Sequence, residues 1–296
     1  MKVIEQSFYE IDDKRLFQKV ELCGRVCYKS EDKITETSAH NFVKKICTNN
    51  HGSVLEHFSF TLKLKEEYYD FLKKQNLPFF EFTNITFPLV SFNLRAFLNF
   101  YNVDNECSLL LPIIKFLSSL YPELFNKPTK KCEDEVLELI EDYSLLTEEE
   151  RDVHQRISIK LITDRGVTHE LVRHRLASFS QESTRYCNYG KDKFGNQITV
   201  IKPVEISDEL YDIWYKAMQE AEKYYFEMIN KGATPQLARS VLPNSLKTEI
   251  VVTASIKEWK LIFELRCAVQ AHPDIRYIML KIKSYFIEKG YINENN

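Results

Sequence analysis

The stretch that decides the fold of the chain is residues 156–186, RISIKLITDRGVTHELVRHRLASFSQESTRY. Its pattern of apolar and polar residues changes twice. Apolar side chains alternate with polar ones through 156–164, which predicts a β-strand. Residues 165–177 then predict the helix that this strand feeds, and SFSQES at 178–183 predicts a loop. A strand that leads straight into a helix indicates a domain that combines both kinds of element.

Residues 173–186 collect cations beside small hydroxyl groups. They contain three arginines, one histidine, three serines and one threonine, although the whole chain has a formal net charge of −3. An arginine side chain offers a planar fork of donors that matches carboxylate or phosphate, and hydroxyl groups donate to the same oxygens. This composition fits either a solvated helix face or a site for an anionic ligand, and by itself it favours the solvated face, which is what most charged stretches are.

The overall composition argues against several classes of protein. Of the 296 residues, 44% are hydrophobic and 28% are charged, which are ordinary values for a globular chain. The 40 basic and 43 acidic residues nearly balance, so we expect a small anionic ligand rather than a nucleic acid as partner. Seven cysteines without a CxxC pair indicate reduced thiols. No apolar run has the length of a signal peptide or a membrane span, so we expect a cytoplasmic protein that does not enter a membrane.

Long helices separated by short strands predict the α+β class, with the helices packed on a dispersed mixed or antiparallel sheet. The clearest helix covers 207–232, with Ser207 as its N-terminal cap and Gly232 as its terminator. We expect 1–296 to be a single domain with a helical insertion at about 65–155. Further strands are predicted at 2–11, 58–64, 197–203 and 249–255, further helices at 39–47, 235–241, 257–267 and 273–289, and a loop at 126–131.

His169, Glu170 and His174 resemble the HExxH motif of zinc proteases, but the second histidine lies one residue too far along the chain. At about 100° per residue, two side chains five positions apart on a helix lie about 140° from each other. Both imidazoles therefore cannot bind one ion from the same face, and we predict no metal site.

The chain has seven glycines, and they form neither a Gly-rich phosphate loop nor a GxGxxG motif. A nucleotide would have to be held by side chains and helix ends instead. Arg173, His174 and Arg175 point in different directions if they lie on a helix, so they suit one large ligand or two neighbouring ones. A dinucleotide, with its pyrophosphate and flat rings, would meet that condition.

Arg173, His174 and Arg175, followed after seven residues by Ser183, resemble the RHR-x7-S signature of the flavin-dependent thymidylate synthases, the ThyX class. Four further segments resemble segments of that family and occur in the family's order. Together they span nearly the whole chain apart from about 65–155. They are GRVCYKS (24–30), HGSVLEHFSFTL (51–62), ARSVLPNSLKTEIVVTAS (238–255) and FELRCAVQAHPDIR (263–276).

The resemblance implies a ThyX-like fold assembled as a homotetramer, with flavin sites built from more than one subunit. It implies binding of FAD and conversion of dUMP to dTMP, with methylenetetrahydrofolate as the carbon donor and NADPH as the reductant. The expected partners are therefore these small molecules and further copies of the same chain.

The resemblance also implies which side chains form the site. Arg266 would be the catalytic residue at the uracil edge, where a cation stabilises negative charge and makes C5 nucleophilic. Arg185 and Arg239 would bind the phosphate, and Ser183 would orient the nucleotide. The implied dUMP-binding residues are Glu170, Arg173, Gln181, Ser183, Arg185, Arg239 and Arg266. The implied FAD-binding residues are His57, Ser59, Arg173, His174, Arg175, Gln181 and Ser255.

At several positions the chain departs from the family pattern. Cys27 stands where serine is frequent, Ser255 where asparagine is common, and Glu170 where an amide is common. Lys257 stands in place of arginine, and Leu261 in place of a polar side chain that reaches the cofactor. Two alternatives therefore stay open: a related flavoenzyme that acts on another pyrimidine nucleotide, and a non-catalytic protein that binds nucleotides or nucleic acid.

Overall fold

The computed structural model describes residues 1–48, 52–103, 108–125, 135–191 and 194–294. These residues form an α+β fold with two four-stranded antiparallel sheets and one pair of parallel strands. The class and the antiparallel pairing agree with the sequence prediction. The loop predicted at 126–131 lies outside the described residues.

The central sheet is built around two nine-residue strands. In it, β2 (Ser7–Glu10), β7 (Arg156–Asp164), β10 (Lys247–Ser255) and β8 (Ser178–Gln181) lie side by side in that order. Each of the nine residues of β7 is paired with one of β10. Strand β10 is buried on both faces, which explains why its apolar residues form a continuous run instead of an alternating one.

Helices cover both faces of the central sheet. On one face, α10 (Ile256–Arg266) follows β10 directly, and α11 (Pro273–Glu288) packs beside it. Alternate residues of β10 lie with both helices in one hydrophobic cluster that contains the fully buried Trp259. On the other face, Val251 packs against α1 (Leu16–Tyr28), a helix that the sequence analysis missed.

The N-terminal segment contributes strands to two different sheets, so the prediction of one strand over 2–11 is wrong. Strand β1 (Lys2–Ile4) pairs in parallel with β9 (Thr199–Ile201), whereas β2 pairs with β7. Between the two strands, the buried side chain of Gln6 donates to the carbonyl of Asp274 (3.0 Å). This hydrogen bond draws the chain inward at Gln6 and separates β1 from β2.

Helix α8 (Asp208–Asn230) covers the parallel pair. The Ser207 hydroxyl accepts from the amide of Leu210 (3.4 Å), as an N-terminal cap does. After the helix, Gly232 has a φ of +91° and its amide donates to the Ile229 carbonyl (2.9 Å). The sequence prediction of this helix, with its cap and its terminator, is confirmed. The other helices predicted after it are present as α9 (Pro235–Ala238), α10 and α11.

A second sheet lies largely in 65–155, where the sequence predicts mostly helices. Strand β3 (Ser59–Leu64) pairs with β5 (Pro88–Asn93) and β6 (Val136–Leu139), and β4 (Phe80–Asn84) completes the order β4-β5-β3-β6. Strand β3 confirms the strand predicted at 58–64, whereas β4, β5 and β6 were not predicted. Strand β5 was missed because it is buried on both faces, and a short apolar run fits a buried helix equally well. The described α-helices of this region are α3 (Glu66–Lys73), α4 (Leu94–Val103), α5 (Leu111–Leu120) and α6 (Glu148–His154). Before it, α2 (Ser38–Thr48) confirms the helix predicted at 39–47.

The helix predicted at 165–177 is shorter than expected. Helix α7 (Arg165–Leu171) ends before the RHR motif, and the amides of His174 and Ala177 donate to carbonyls three residues earlier (3.1 and 3.2 Å). The chain then enters β8, where the sequence predicts a loop. The pairing of β8 with β10 explains both the early end of α7 and the strand in place of a loop, because the chain must leave the helix to form the edge strand of the central sheet.

Gly24 of α1 lies where a larger residue would not fit. A methyl group there would come within 2.7 Å of the Phe42 ring and of Val54. Gly24→Ala should therefore push these neighbours apart and lower the free energy of unfolding by about 1–3 kcal/mol, the usual cost of overpacking. Urea unfolding followed by circular dichroism measures this change. The control Lys44→Ala, at an exposed position of α2, should change the value by less than about 0.5 kcal/mol. A Gly24→Ala protein as stable as the wild type would contradict the packing of α1.

Candidate active site

A cavity of about 900 Å³ lies where the second sheet meets the central one. Cavities of this size hold cofactors and drug-sized ligands. Ser59, Arg175 and Ser255, three of the side chains predicted to bind FAD, line it together although they are far apart in sequence. Lys257 and Leu261, two positions that depart from the family pattern, line it as well. The fold therefore brings these predicted cofactor residues to one place.

Four basic side chains among the described residues line this cavity, and two of them have no partner. Arg95 and Arg156 are each paired with a glutamate of the cavity wall. The side chains of Arg175 and Lys257 are exposed and make no hydrogen bond or ion pair with any other residue that the structure describes. Their charges are therefore available to an anionic ligand.

Arg266, the last residue of α10, contacts two of the other predicted site residues. Its Nε donates to His174 Nε2, one terminal nitrogen donates to Glu170 Oε2, and the other donates to the Glu170 carbonyl, each at 3.0 Å. The Arg266 side chain is mostly buried, with 15% of its surface exposed. A guanidinium has five N–H groups, so two remain for a ligand.

His174 is held as a neutral imidazole. Because arginine can only donate, His174 Nε2 accepts from Arg266 and the proton is assigned to Nδ1, which faces Glu258 Oε1 at 3.6 Å. Burial, and then the charges of Arg266 and Arg173, lower the pKa of His174 to about 4. Burial also raises the pKa of Glu258, which lines the cavity. His174 therefore connects the cavity wall with Arg266.

His57, which is predicted to line the flavin, is buried inside the chain. Its Nδ1 lies 2.7 Å from the hydroxyl oxygen of Thr253, and its Nε2 lies 2.9 Å from that of Ser180. Burial lowers the pKa of His57 to about 3 and keeps the ring neutral. Ser180 also bonds to Cys27, whose thiol pKa is raised by burial. His57 thus joins β8 to β10, next to the cavity that Thr253 lines.

Ser183, Arg185 and Arg239 form a second group around the turn after β8. The Ser183 hydroxyl accepts from the Arg185 amide (3.3 Å), which closes the turn. Arg239 donates to the hydroxyl of Thr184 (3.4 Å), so it lies against the same turn. The side chains of Arg185 and Arg239 are exposed, and both can reach a phosphate in solvent.

The remaining residues predicted to bind dUMP are Gln181 and Arg173. Gln181, at the end of β8, donates to two threonine hydroxyls (3.0 and 3.3 Å). Arg173 is exposed and has no hydrogen-bond or ion-pair partner among the described residues. In the part of the chain that the structure describes, Arg266 and Glu170 are bonded to each other, and they share no hydrogen-bond or ion-pair partner with Ser183, Arg185 or Arg239. Gln181 and Arg173 belong to neither of these two groups.

Glu258 was not predicted from the sequence, although a local signal for it exists. Glu258 follows Ser255 by three positions, and the Ser255 hydroxyl accepts from its amide (3.1 Å) at the start of α10. This S-x-x-E spacing is a capping pattern that places the glutamate in the first helical turn. Ser180 and Thr253, the partners of His57, carry no local pattern that pairs them. The lining residues within 79–99 were missed because that part of the chain lies outside the segments that resemble the family.

The zinc arrangement considered for His169 and His174 is not formed. Helix α7 ends before His174, and the imidazole of that residue is bonded to Arg266. Within the described ranges, no group of three His, Cys, Asp or Glu residues could hold a metal ion. The same ranges include no helix with the length and apolar character needed to cross a membrane.

A family model described as thymidylate synthase complementing protein matches residues 12–67 and 129–289. The two matched parts contain β3, the strands of the central sheet other than β2, and the helices α7, α10 and α11. Residues 68–128, which include β4, β5, α4 and α5, are not matched. The unmatched segment thus falls within the insertion expected from the sequence.

Curated relatives named flavin-dependent thymidylate synthase align with part of the chain. The protein of Pyrococcus furiosus is 37% identical over 118 residues, which are 40% of this chain and 48% of the relative. The protein of Geobacter sulfurreducens is 35% identical over 118 residues, or 40% and 50% of the two chains. The protein of Sulfolobus acidocaldarius is 38% identical over 118 residues, or 40% and 44%. The chain spans about half the length of the curated relatives it matches.

His174 and His57 should make the stability of the fold depend on pH. Their native pKa values, about 4 and about 3, lie below the ordinary value of 6.5, so the unfolded chain binds more protons between these values. The free energy of unfolding should therefore fall as the pH is lowered from 6.5 towards 4. Each group contributes a slope of up to about 1.4 kcal/mol per pH unit.

Urea unfolding at a series of pH values measures this slope. His174→Gln should have a shallower slope than the wild type, because glutamine takes up no proton. Identical slopes for the two proteins would mean that the native fold does not hold this imidazole neutral.

Proposed function

Because the chain belongs to the family of thymidylate synthase complementing proteins, we propose that it is a flavin-dependent thymidylate synthase. It converts dUMP to dTMP, with methylenetetrahydrofolate as the carbon donor and NADPH as the reductant. The observation that carries this proposal is the cavity shared by Ser59, Arg175 and Ser255, beside the contact of Arg266 with His174.

The cavity suits FAD in size and in charge. Its volume of about 900 Å³ accepts a large ligand, and the unpaired Arg175 and Lys257 offer two cations to a pyrophosphate. Ser59 and Ser255 border the flavin in this proposal, and neutral His174 lies behind Glu258 of the wall. Bound FAD supplies the reducing equivalents of NADPH to the transferred one-carbon unit.

Arg266 acts on the uracil ring. In the free chain its charge is balanced by Glu170, and three hydrogen bonds fix its orientation. Its two remaining N–H groups can donate to a uracil carbonyl without breaking these contacts. A cation held there stabilises the negative charge that develops on the ring as C5 attacks the carbon donor. Neutral His174 supports this role, because a charged imidazole would repel the guanidinium.

A second copy of the chain completes the nucleotide site. Arg185 and Arg239 are suited to the phosphate, and among the described residues they share no hydrogen-bond or ion-pair partner with Arg266. We propose a homotetramer in which the two groups come from neighbouring subunits. Exposed apolar side chains such as Ile213 and Leu237 offer surface of the kind that subunit interfaces cover.

The departures from the family pattern affect neutral contacts more than charged ones. The Ser255 hydroxyl is used to cap α10, and Leu261 offers no hydrogen bond to a flavin. Each lost neutral hydrogen bond costs about 0.5–1.5 kcal/mol. Arg175 and Arg266 are retained, and the charge-assisted bonds that they form are stronger. We therefore expect the FAD site to be weakened but functional.

We propose that the enzyme works in the cytoplasm. Its substrates are small nucleotides and a folate, and no nucleic acid or membrane is needed for this chemistry. The cysteines that the structure describes are free thiols, as is usual in a reducing compartment. They are Cys23, Cys27, Cys47, Cys187 and Cys267.

The purified protein should bind FAD and show flavin absorption near roughly 375 and 450 nm. Anaerobic NADPH should bleach these bands at a rate that responds to dUMP. With methylenetetrahydrofolate, dUMP should give dTMP, detected by mass spectrometry, and dCMP should give no methylated product. Preference for dCMP would identify a related flavoenzyme, and a protein that binds no FAD would contradict the proposal.

Arg266→Ala should lower kcat about 10²- to 10³-fold, as expected when a group that stabilises developing charge is removed. The FAD content should stay nearly unchanged, because the charge acts on the uracil ring. Initial rates and flavin absorption of one preparation measure both quantities. The control Arg15→Ala, which removes an exposed arginine paired with Asp13, should leave both unchanged. Loss of FAD together with normal turnover after reconstitution would contradict the role assigned to Arg266.

A further inference from the structure

One wall of the cavity belongs to the part of the chain that the family model does not match. Phe79, Arg95 and Asn99 line the cavity and lie within 68–128, between the two matched segments. The opposite wall comes from the turn after α7 and from α10, which are matched. The family match therefore assigns no role to the side chains of the first wall.

Phe79 is the unusual residue of this wall. Its side chain is 69% exposed, whereas the neighbouring Phe80 is buried and stacks on Phe92 with ring centroids 4.6 Å apart. Phe79 also has a φ of 66°, in the left-handed region that bulky residues seldom adopt. An exposed aromatic ring and a strained backbone are both unfavourable in the free chain. Strain of this kind is typical of residues that clamp a ligand.

Other exposed apolar side chains line the same cavity. Leu176 is 76% exposed and Leu261 is 42% exposed, so the lining is apolar at more than one point. The unpaired cations Arg175 and Lys257 line it too. Exposed apolar groups beside unpaired cations match a ligand that carries flat rings and an anionic linker.

Resting on the proposed function, we propose that Phe79 stacks on a planar ring of FAD. The unmatched segment then supplies a cofactor-binding residue of its own. Binding covers the exposed ring of Phe79 and adds apolar contact at a site where Ser255 and Leu261 offer few hydrogen bonds. The contact is one of packing alone, and no proton or electron passes through Phe79.

Titration of FAD into the flavin-free full chain, followed by flavin fluorescence or calorimetry, tests this proposal. Phe79→Ala should weaken FAD binding about tenfold, a usual effect of losing a stacked ring. Phe79→Tyr keeps a ring and should retain the wild-type affinity. The control Phe71→Ala removes a phenylalanine of α3 that is 46% exposed and does not line the cavity, and it should bind FAD like the wild type.

Phe79→Gly distinguishes stacking from a merely structural role. Glycine adopts a positive φ without strain, so without FAD this variant should melt at a higher temperature than Phe79→Ala. It should nevertheless bind FAD as weakly as Phe79→Ala does. A gain in thermal stability together with wild-type FAD affinity would overturn the proposal, because the ring would then be dispensable for the cofactor.

Titration with FMN, which lacks the adenine ring, identifies the stacked ring. Equal losses of affinity for FAD and FMN in Phe79→Ala assign the contact to the flavin ring, and a loss for FAD alone assigns it to the adenine ring.

Equal FAD affinity of Phe79→Ala and the wild type would overturn this inference and leave the synthase proposal intact. A wild-type protein that binds no FAD would overturn both. A smaller molar mass of Phe79→Ala in light scattering would assign Phe79 to a subunit interface and would also overturn the inference.

Discussion

The nine-residue pairing of β7 with β10 determines where the candidate site lies. Because the strands are antiparallel, α7 leaves one end of the pair and α10 leaves the other, and both helices pack in the same hydrophobic cluster. The paired strands are about 30 Å long and the two helices together are about 27 Å long, so their C-terminal ends meet. Arg266 and Glu170 occupy this meeting point, which explains how side chains 96 positions apart come into contact.

The meeting of two helix ends also explains why cations gather in 173–186. The C-terminal end of each helix carries partial negative charge on carbonyls without a partner in the helix. Arg266 donates to one such carbonyl, that of Glu170, and Arg173 lies just beyond the same helix end. Cations are therefore stabilised here although the whole chain is slightly acidic. The same positive charges help to keep His174 neutral, so the cluster places positive charge beside the cavity without charging its buried histidine.

The range of each interaction decides how much of the fold could be predicted from the sequence. The helix over 207–232 and its ends at Ser207 and Gly232 depend on neighbouring residues, and their prediction is confirmed. Strand β8 and the early end of α7 depend on pairing with β10. Residues 178–183 contain no local pattern that would predict this pairing. Strand β5 was missed for a related reason, because a strand buried on both faces loses the alternation that marks it.

The candidate site, too, could be predicted from local sequence patterns only in part. Patterns of charge and hydroxyl groups alone favoured a solvated helix face over an anion site, and only the family resemblance selected Ser59, Arg175 and Ser255. Glu258 could have been found from the capping pattern that begins at Ser255. Phe79 could not, because its exposure and its positive φ exist only in the folded chain.

Hydrogen–deuterium exchange of the full chain, with and without saturating FAD, tests most directly whether the cavity between the two sheets is the cofactor site. We expect FAD to slow exchange on both walls of the cavity at once. The affected peptides should cover 175–178 and 255–261 on the matched wall and 78–81 and 93–99 on the unmatched wall, while exchange within 216–226 of α8 stays unchanged. Slower exchange on the matched wall alone, or only in regions away from the cavity, would contradict the account.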